Sequence, residues 1–164
     1  MDDLRQLYQQ LILEHAKKPS HKVSGILDGD FDRLNHRDVP SALIGSSNQI
    51  NATCGDEITM AVILKDGQIL DLAWEGQGCS ISQASASIMT ELAAGNAISD
   101  FTKSAALFHE LMGSKGKGLA DQDIEEQLGD AIAFTGVSQY PARIKCALLG
   151  WEALKGAIQN AGSS

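Results

Sequence analysis

The chain contains no hydrophobic run that approaches the length needed to cross a bilayer, and its start, Met1-Asp2-Asp3-Leu4, has no positively charged stretch leading into an apolar one. Neither a membrane-spanning nor a secreted protein is the expected reading, and a cytoplasmic location is. Positive charge is also in short supply: 13 Lys and Arg stand against 21 Asp and Glu, a formal net charge of −8. That balance repels a phosphate backbone, so no nucleic acid is expected as partner, whereas a protein with a basic docking face is. Cysteine is scarce, three in 164 residues, and the odd number excludes a fully paired disulfide scheme within one chain. In a reducing compartment Cys54, Cys79 and Cys146 read as free thiols, available for metal binding or thiol chemistry. There is no Cys-x-x-Cys pair and no internal repeat. His15, His21, His36 and His109 lack metal-like mutual spacing and read as structural or surface groups.

What is present suits one compact domain spanning 1–164. Apolar residues make up 43% of the chain and charged residues 21%, which is globular rather than disordered composition, and the length can bury a core without disulfides. Asp2 or Asp3 can cap a first helix whose apolar face is Leu4, Leu7, Tyr8, Leu11, Ile12 and His15, with Lys17, Lys18 and Pro19 at its end. Residues 20–47 show no sustained period and read as loops, with a short strand piece around Val23 to Leu27. Then Ile58, Met60, Val62 and Leu64 alternate on one face, and Leu70, Leu72 and Trp74 recur after Lys65-Asp66-Gly67-Gln68. The Asp-Gly pair between alternating runs predicts a hairpin, to which a segment around Gln49 to Thr53 can add a third antiparallel strand.

Helical spacing returns after Cys79, in Ile81, Ala84, Ser85, Ile88, Met89 and Leu92, with Gly95 as the stop. A further helix is predicted over 102–112, followed by the glycine-rich turn 113–118 and a short helical piece through Ile124 and Leu128. Pro141 opens a terminal helix carrying Cys146, Leu149, Trp151 and Leu154. Strands followed by a run of helices predict an α+β fold, a small antiparallel β-sheet covered by several α-helices, rather than alternating βαβ units.

Cys54-Gly55-Asp56 places a thiol and a carboxylate two positions apart with a glycine that permits a bend between them. Cys79 stands between Gly76-Gln77-Gly78 and the start of a helix, where its sulfur would face unpaired backbone N–H groups, and Cys146 lies in the first turns of the last helix. Three sulfurs and one oxygen suit tetrahedral Zn²⁺. The plainer reading is that isolated cysteines are buried small hydrophobes. Only a fold that gathers these distant segments makes one site of them.

Three stretches are similar to the SufU-type branch of the IscU-like iron–sulfur cluster assembly family: Asn51-Ala52-Thr53-Cys54-Gly55-Asp56, the run from Gly76-Gln77-Gly78-Cys79 to Thr90, and Pro141 to Trp151 around Cys146. The opening helix, with Tyr8, Ile12, His15 and Pro19, also resembles the family's start, so the resemblance runs nearly the whole length. It implies an IscU/SufU-like fold, with Cys54, Asp56, Cys79 and Cys146 as zinc ligands and Cys54 as the catalytic sulfur acceptor. It further implies a SufS-type, pyridoxal phosphate-dependent cysteine desulfurase as the partner that this chain stimulates, and a downstream iron–sulfur scaffold as recipient. In the family, a histidine of the partner takes the coordination place of the residue matching Cys54 and releases it. Lys145 stands where scaffold-type relatives carry histidine, and the segment 101–124 resembles an extra region of the SufU-type branch; both favour sulfur transfer. The family pattern is departed from at Ala52, commonly proline, and around His21. The alternatives are a scaffold that assembles a [2Fe–2S] cluster on the same ligands, and a purely structural zinc adaptor.

Overall fold

The protein is described from a computed structural model over residues 2–24 and 41–162. The order is α1 (Asp2–Lys17), β1 (Leu43–Asn51), β2 (Asp56–Lys65), β3 (Gln68–Gln77), α2 (Ser80–Ala93), α3 (Ile98–Met112), α4 (Gln122–Glu126), a 3-10 segment (Gly129–Gln139) and α5 (Pro141–Asn160). The three strands form an antiparallel sheet in the order β1-β2-β3, and the helices cover it, which is the expected α+β architecture.

The hairpin closes on the Lys65–Gln68 pair, with Asp66 at φ 52° and Gly67 at φ 76°. Two successive positive φ values mark the turn whose twist matches that of antiparallel strands, and glycine adopts one without penalty. The core pattern on β3 departs from simple alternation. Leu64 pairs with Ile69 but Ile63 pairs with Asp71, so Leu70 is the extra residue of a bulge. Ile69 is therefore fully buried beside Leu72 and Trp74, while Leu70, expected on the core face, is 38% exposed.

Strand β1 begins at Leu43, inside the stretch expected to be loop, and its polar run Ser46-Ser47-Asn48-Gln49 explains why no strand pattern was legible there. Its small residues serve close packing. Gly45 lies against Ala157 of α5 and Ala161 just past its end, where a Cβ would come within 2.7 Å of the Ala161 Cβ, and a Cβ on Gly156 would stand 2.9 Å from the Ser47 Cβ. Helix α5 thus lies almost directly on β1. Alternation then puts Asn51, at the end of β1, and Asp56, its partner at the start of β2, on this same covered face.

The helical layer centres on a stack of Phe101, Phe108 and Trp151, with ring centroids 6.0 and 4.3 Å from Trp151, and Phe134 of the 3-10 segment packs edge-on to Phe108 at 6.0 Å. Gly150 of α5 lies against Ala86 of α2 so closely that a Cβ would sit 2.9 Å from the Ala86 Cβ. Small residues let these two helices, one following Cys79 and one carrying Cys146, approach each other. Helix α3 begins at Ile98, one turn earlier than predicted, and Gly95, at φ 79°, ends α2 as expected.

Helix α1 buries a narrower stripe than its periodicity suggests. Ile12 is buried, with Tyr8, Leu11 and Ala16 against the core, but Leu4 and Leu7 are 50% and 59% exposed. The amphipathic pattern continues past the end of the surface available to receive it. His15 Nδ1 lies 2.7 Å from the Ser87 hydroxyl, which also accepts the Ser20 N–H at 2.7 Å, and His21 Nδ1 lies 3.1 Å from the Thr90 hydroxyl. These two histidines fasten the end of α1 and the following turn to α2. His15 also faces Glu91 and Asp130, the three offering ligand atoms within 4.8 Å of one another on the surface. The expected strand piece near Val23 is seen as one parallel bridge, Lys22 with Trp74; positions 25–27 and His36 lie outside the described residues. No helix among the described residues is long and apolar enough to cross a membrane.

Candidate metal centre

Cys54 sits in the turn between β1 and β2. The turn wraps around the Asn51 carbonyl, which accepts the N–H groups of Cys54 at 3.3 Å and Gly55 at 2.9 Å, and Gly55 completes it at φ 74°. The bend expected from Gly55 is thus present, and it leaves Cys54 exposed at the surface. Asp56, the first residue of β2, is the opposite case: a carboxylate with no exposed surface. A buried carboxylate requires hydrogen-bond donors or a cation. Its Oδ1 accepts the Cys79 N–H at 2.8 Å, and the Ser82 hydroxyl lies 3.3 Å from the same oxygen and 3.0 Å from the Cys79 carbonyl. With Oδ1 so engaged, Oδ2 is the oxygen directed at sulfur, 4.0 Å from Cys79 Sγ.

Cys79 occupies the N-cap position of α2, but its side chain makes no capping hydrogen bond. The sequence-based expectation that its sulfur faces the open N–H groups of the helix is corrected: the Asp56 carboxylate takes the N–H of Cys79 itself, where a negative group is favoured near the positive end of the helix. Gly78 is what permits this. At φ 149° it adopts a backbone conformation rare for residues with a side chain, and a Cβ would overlap Asp56 Oδ1 and lie 2.9 Å from both Asp56 Cγ and Ser82 Oγ.

Cys146, in the second turn of α5, is buried. Its sulfur lies 3.7 Å from the Ala142 carbonyl and accepts from the Asn51 side-chain amide at 3.7 Å. Burial pushes its thiol well above the ordinary value, and hydrogen bonds with the side chains of Asp56, Cys54 and Cys79 and the charge of Cys79 push in the same direction. Cys79 meets Asp56, through both its N–H and its sulfur. The ligand atoms of Cys54, Asp56 and Cys146 lie within 4.8 Å of one another; Cys79 stands just outside this group, its sulfur also 3.9 Å from the Ser82 hydroxyl.

The donor set fits a zinc-type ion. Three sulfurs and one carboxylate oxygen approach from three separate pieces of chain, and a divalent cation would neutralise the buried carboxylate and replace the thiol protons, so that groups expensive to bury as anions become favourable. Ser82, Gly78 and the Asn51 side chain are parts of the site that motif reading did not assign. Their signals, a hydroxyl three residues after a cysteine and a glycine before it, are too common to single out. Arg143 lies over the Tyr140 ring at 5.8 Å, and Lys145 is exposed, both in the first turns of α5.

Comparison with known proteins agrees with the fold and narrows the family. The NifU-like N terminal domain family matches residues 7–147. The zinc-dependent sulfurtransferase SufU of Bacillus subtilis (strain 168) is 37% identical over 163 residues, covering 99% of this chain and 97% of the relative. The iron–sulfur cluster assembly scaffold protein IscU of Streptococcus pyogenes serotype M1 is 33% identical, covering 100% and 90%. Among solved structures, an iron–sulfur cluster assembly scaffold protein for the SUF system from Fervidobacterium islandicum AW-1 aligns with a TM-score of 0.68 at 27% identity, over 90% of this chain and 93% of that one. A full-length match to SufU and IscU proteins, on a small antiparallel sheet with helices over it, means that the chain belongs to the NifU-like N-terminal domain family, whose SufU- and IscU-type members are iron–sulfur cluster assembly proteins.

Proposed function

We propose that this chain is a zinc-dependent sulfurtransferase: Cys54 accepts persulfide sulfur from a pyridoxal phosphate-dependent cysteine desulfurase and delivers it for iron–sulfur cluster assembly. The observation that supports the reading is the placement of the thiols: Cys54 and Cys79 are both exposed, but Cys79 is fixed at the N-cap of α2. Cys54 is exposed on a glycine-hinged turn, while Cys146 is buried in a helix, held between Asn51 and Ala142. Of the two, only Cys54 can meet a partner's sulfur without unpacking a helix. In the proposed site Cys54, Asp56, Cys79 and Cys146 hold the metal. Bound zinc supplies a positive charge that keeps the thiols deprotonated without redox chemistry of its own.

The transfer itself needs only sulfur chemistry. The Cys54 thiolate attacks the terminal sulfur of the donor's cysteine persulfide; the S–S bond of the donor breaks, its cysteine leaves as a thiolate, and Cys54 becomes the persulfide. Asp56, fixed through Oδ1 by the Cys79 N–H, keeps its place while Cys54 moves, so the rest of the site stays assembled. The excess of acidic residues suits a desulfurase that presents a basic docking face, in a reducing compartment such as the cytoplasm.

The 33% identity to a protein named as a scaffold supports a second reading, in which the same ligands hold a [2Fe–2S] cluster. One experiment separates the two. After brief reaction of the zinc-loaded protein with a cysteine desulfurase and cysteine, peptide mass spectrometry should find the added sulfur on Cys54. A chain that carries no persulfide but hands on an intact cluster would establish scaffolding instead, and neither product would leave a structural zinc adaptor.

A further inference from the structure

We infer that Asn51 is a positioning residue that quietens the Cys146 sulfur and so directs sulfur chemistry to Cys54. The inference deepens the proposed function and rests on it. Asn51 reaches three of the four proposed ligands by three different means. Its side-chain amide donates to Cys146 Sγ at 3.7 Å, its carbonyl accepts the N–H groups of Cys54 and Gly55, and it stands opposite Asp56 in the β1–β2 ladder. It is itself buried, with 8% of its surface exposed, so the amide has little water to turn to. A buried amide that points its N–H at a sulfur stabilises the charged form of that sulfur and lowers the lone-pair energy with which it would attack an electrophile.

Among the described residues no amide side chain donates to the Cys54 sulfur. The two sulfurs are thus set apart by one residue: Cys146 receives a hydrogen bond from the side chain of Asn51, and Cys54 receives from its backbone only a position, on a turn facing solvent. Asn51 sits at the end of β1, and β1 is clamped to α5 through Gly45 and Gly156, so the donor is carried on the element packed against the helix that bears its acceptor. Small errors in strand position are therefore not passed on to the N–H···S contact.

The test replaces Asn51 in the full chain. Asn51→Leu keeps a branched side chain without a donor, Asn51→Ser keeps a polar strand end too short to reach the sulfur, and Asn51→Gln restores an amide. Two readings are taken besides activity. The first is limited alkylation by iodoacetamide in zinc-loaded protein, where the sulfurs are thiolates, with the Cys54 to Cys146 product ratio measured by peptide mass spectrometry. The second is the thiolate-to-metal charge-transfer band and affinity of the cobalt(II)-loaded protein. The ratio should fall several-fold in Asn51→Leu and Asn51→Ser, the band should move to lower energy, affinity should drop about tenfold or more, and Asn51→Gln should recover part of each. A merely structural role would raise the reactivity of both thiols together and leave the ratio unchanged, which overturns the inference. If Asn51→Leu does not fold, the ratio in Asn51→Ser decides. A wild-type chain with no thiolate-to-cobalt band would defeat the metal reading of the proposed function and this inference with it, whereas an unchanged ratio in a chain that shows the band would overturn the role of Asn51 alone.

Discussion

Replacing Gly78 by alanine should damage the site, and the structure gives the magnitude. Two costs of the same sign meet at this position. Residues with a side chain rarely adopt φ 149°, and holding alanine there costs ~1–3 kcal/mol. The added Cβ would also overlap Asp56 Oδ1 and stand 2.9 Å from Asp56 Cγ and Ser82 Oγ. Asp56 is fully buried and tied to the Cys79 N–H, so it cannot swing away freely, and overpacking of this kind costs ~1–3 kcal/mol. The sum is about 4 kcal/mol, or ~8–16 °C in melting temperature for a domain of this size. Gly55→Ala is the control: its φ of 74° is also positive, but nothing lies within 4 Å of the added Cβ, so only the left-handed backbone cost of ~1–2 kcal/mol applies. Urea unfolding of both variants in excess chelator measures these differences free of metal linkage, and competition with a chromophoric chelator then reads zinc affinity, which should fall in Gly78→Ala because Asp56 is displaced. Equal unfolding midpoints for the two variants, within about 0.5 kcal/mol, would refute the reasoning that Asp56 and Gly78 are in direct steric contact.

Cys54→Ala should abolish persulfide formation and stimulation of the desulfurase while the metal-free protein unfolds within ~0.5 kcal/mol of wild type, because the side chain is exposed; urea denaturation beside mass spectrometry checks both halves. In metal-free protein the raised Cys146 pKa makes the thiol favoured in the folded state, so stability is fully present below the ordinary thiol value of 9.0 and declines as pH rises past it. Unfolding midpoints at pH 7 and pH 10 should show this decline in wild type and a weaker one in Cys146→Ala. Phe108→Ala removes a fully buried ring stacked on Trp151 and should cost ~3–5 kcal/mol, read as a melting temperature lower by ~6–20 °C. Ser87→Ala removes the hydroxyl shared by His15 and the Ser20 N–H and should cost ~1–3 kcal/mol, with hydrogen exchange rising in α1 before the sheet.

Much of the protein was legible in the chain alone wherever the determinant is local. Asp66-Gly67 specifies a turn because both positions take positive φ, Pro141 starts a helix because its missing N–H has no bond to lose there, and Gly95 ends one because it enters the left-handed region freely. The motif stretches around Cys54, Cys79 and Cys146 likewise named the residues that meet in the fold. Other features depend on partners far along the chain. The end of β1 was expected from the sequence as a third strand around Gln49, but its first half is recognisable only from the helix that packs on it, since Gly45 and Ser47 carry no strand pattern and let α5 come close. The bulge that exchanges Leu70 for Ile69 depends on pairing with β2, and the exposure of Leu4 and Leu7 on where the covered surface ends. At the site, one residue's worth of sequence cannot say that Asp56 takes the N-terminus of α2, that Gly78 must be bare to admit it, or that the amide of Asn51 turns to a sulfur 95 positions away. Periodicity and motifs report what a residue can do; which of those capacities is used is decided by the atoms that tertiary packing brings within hydrogen-bonding distance.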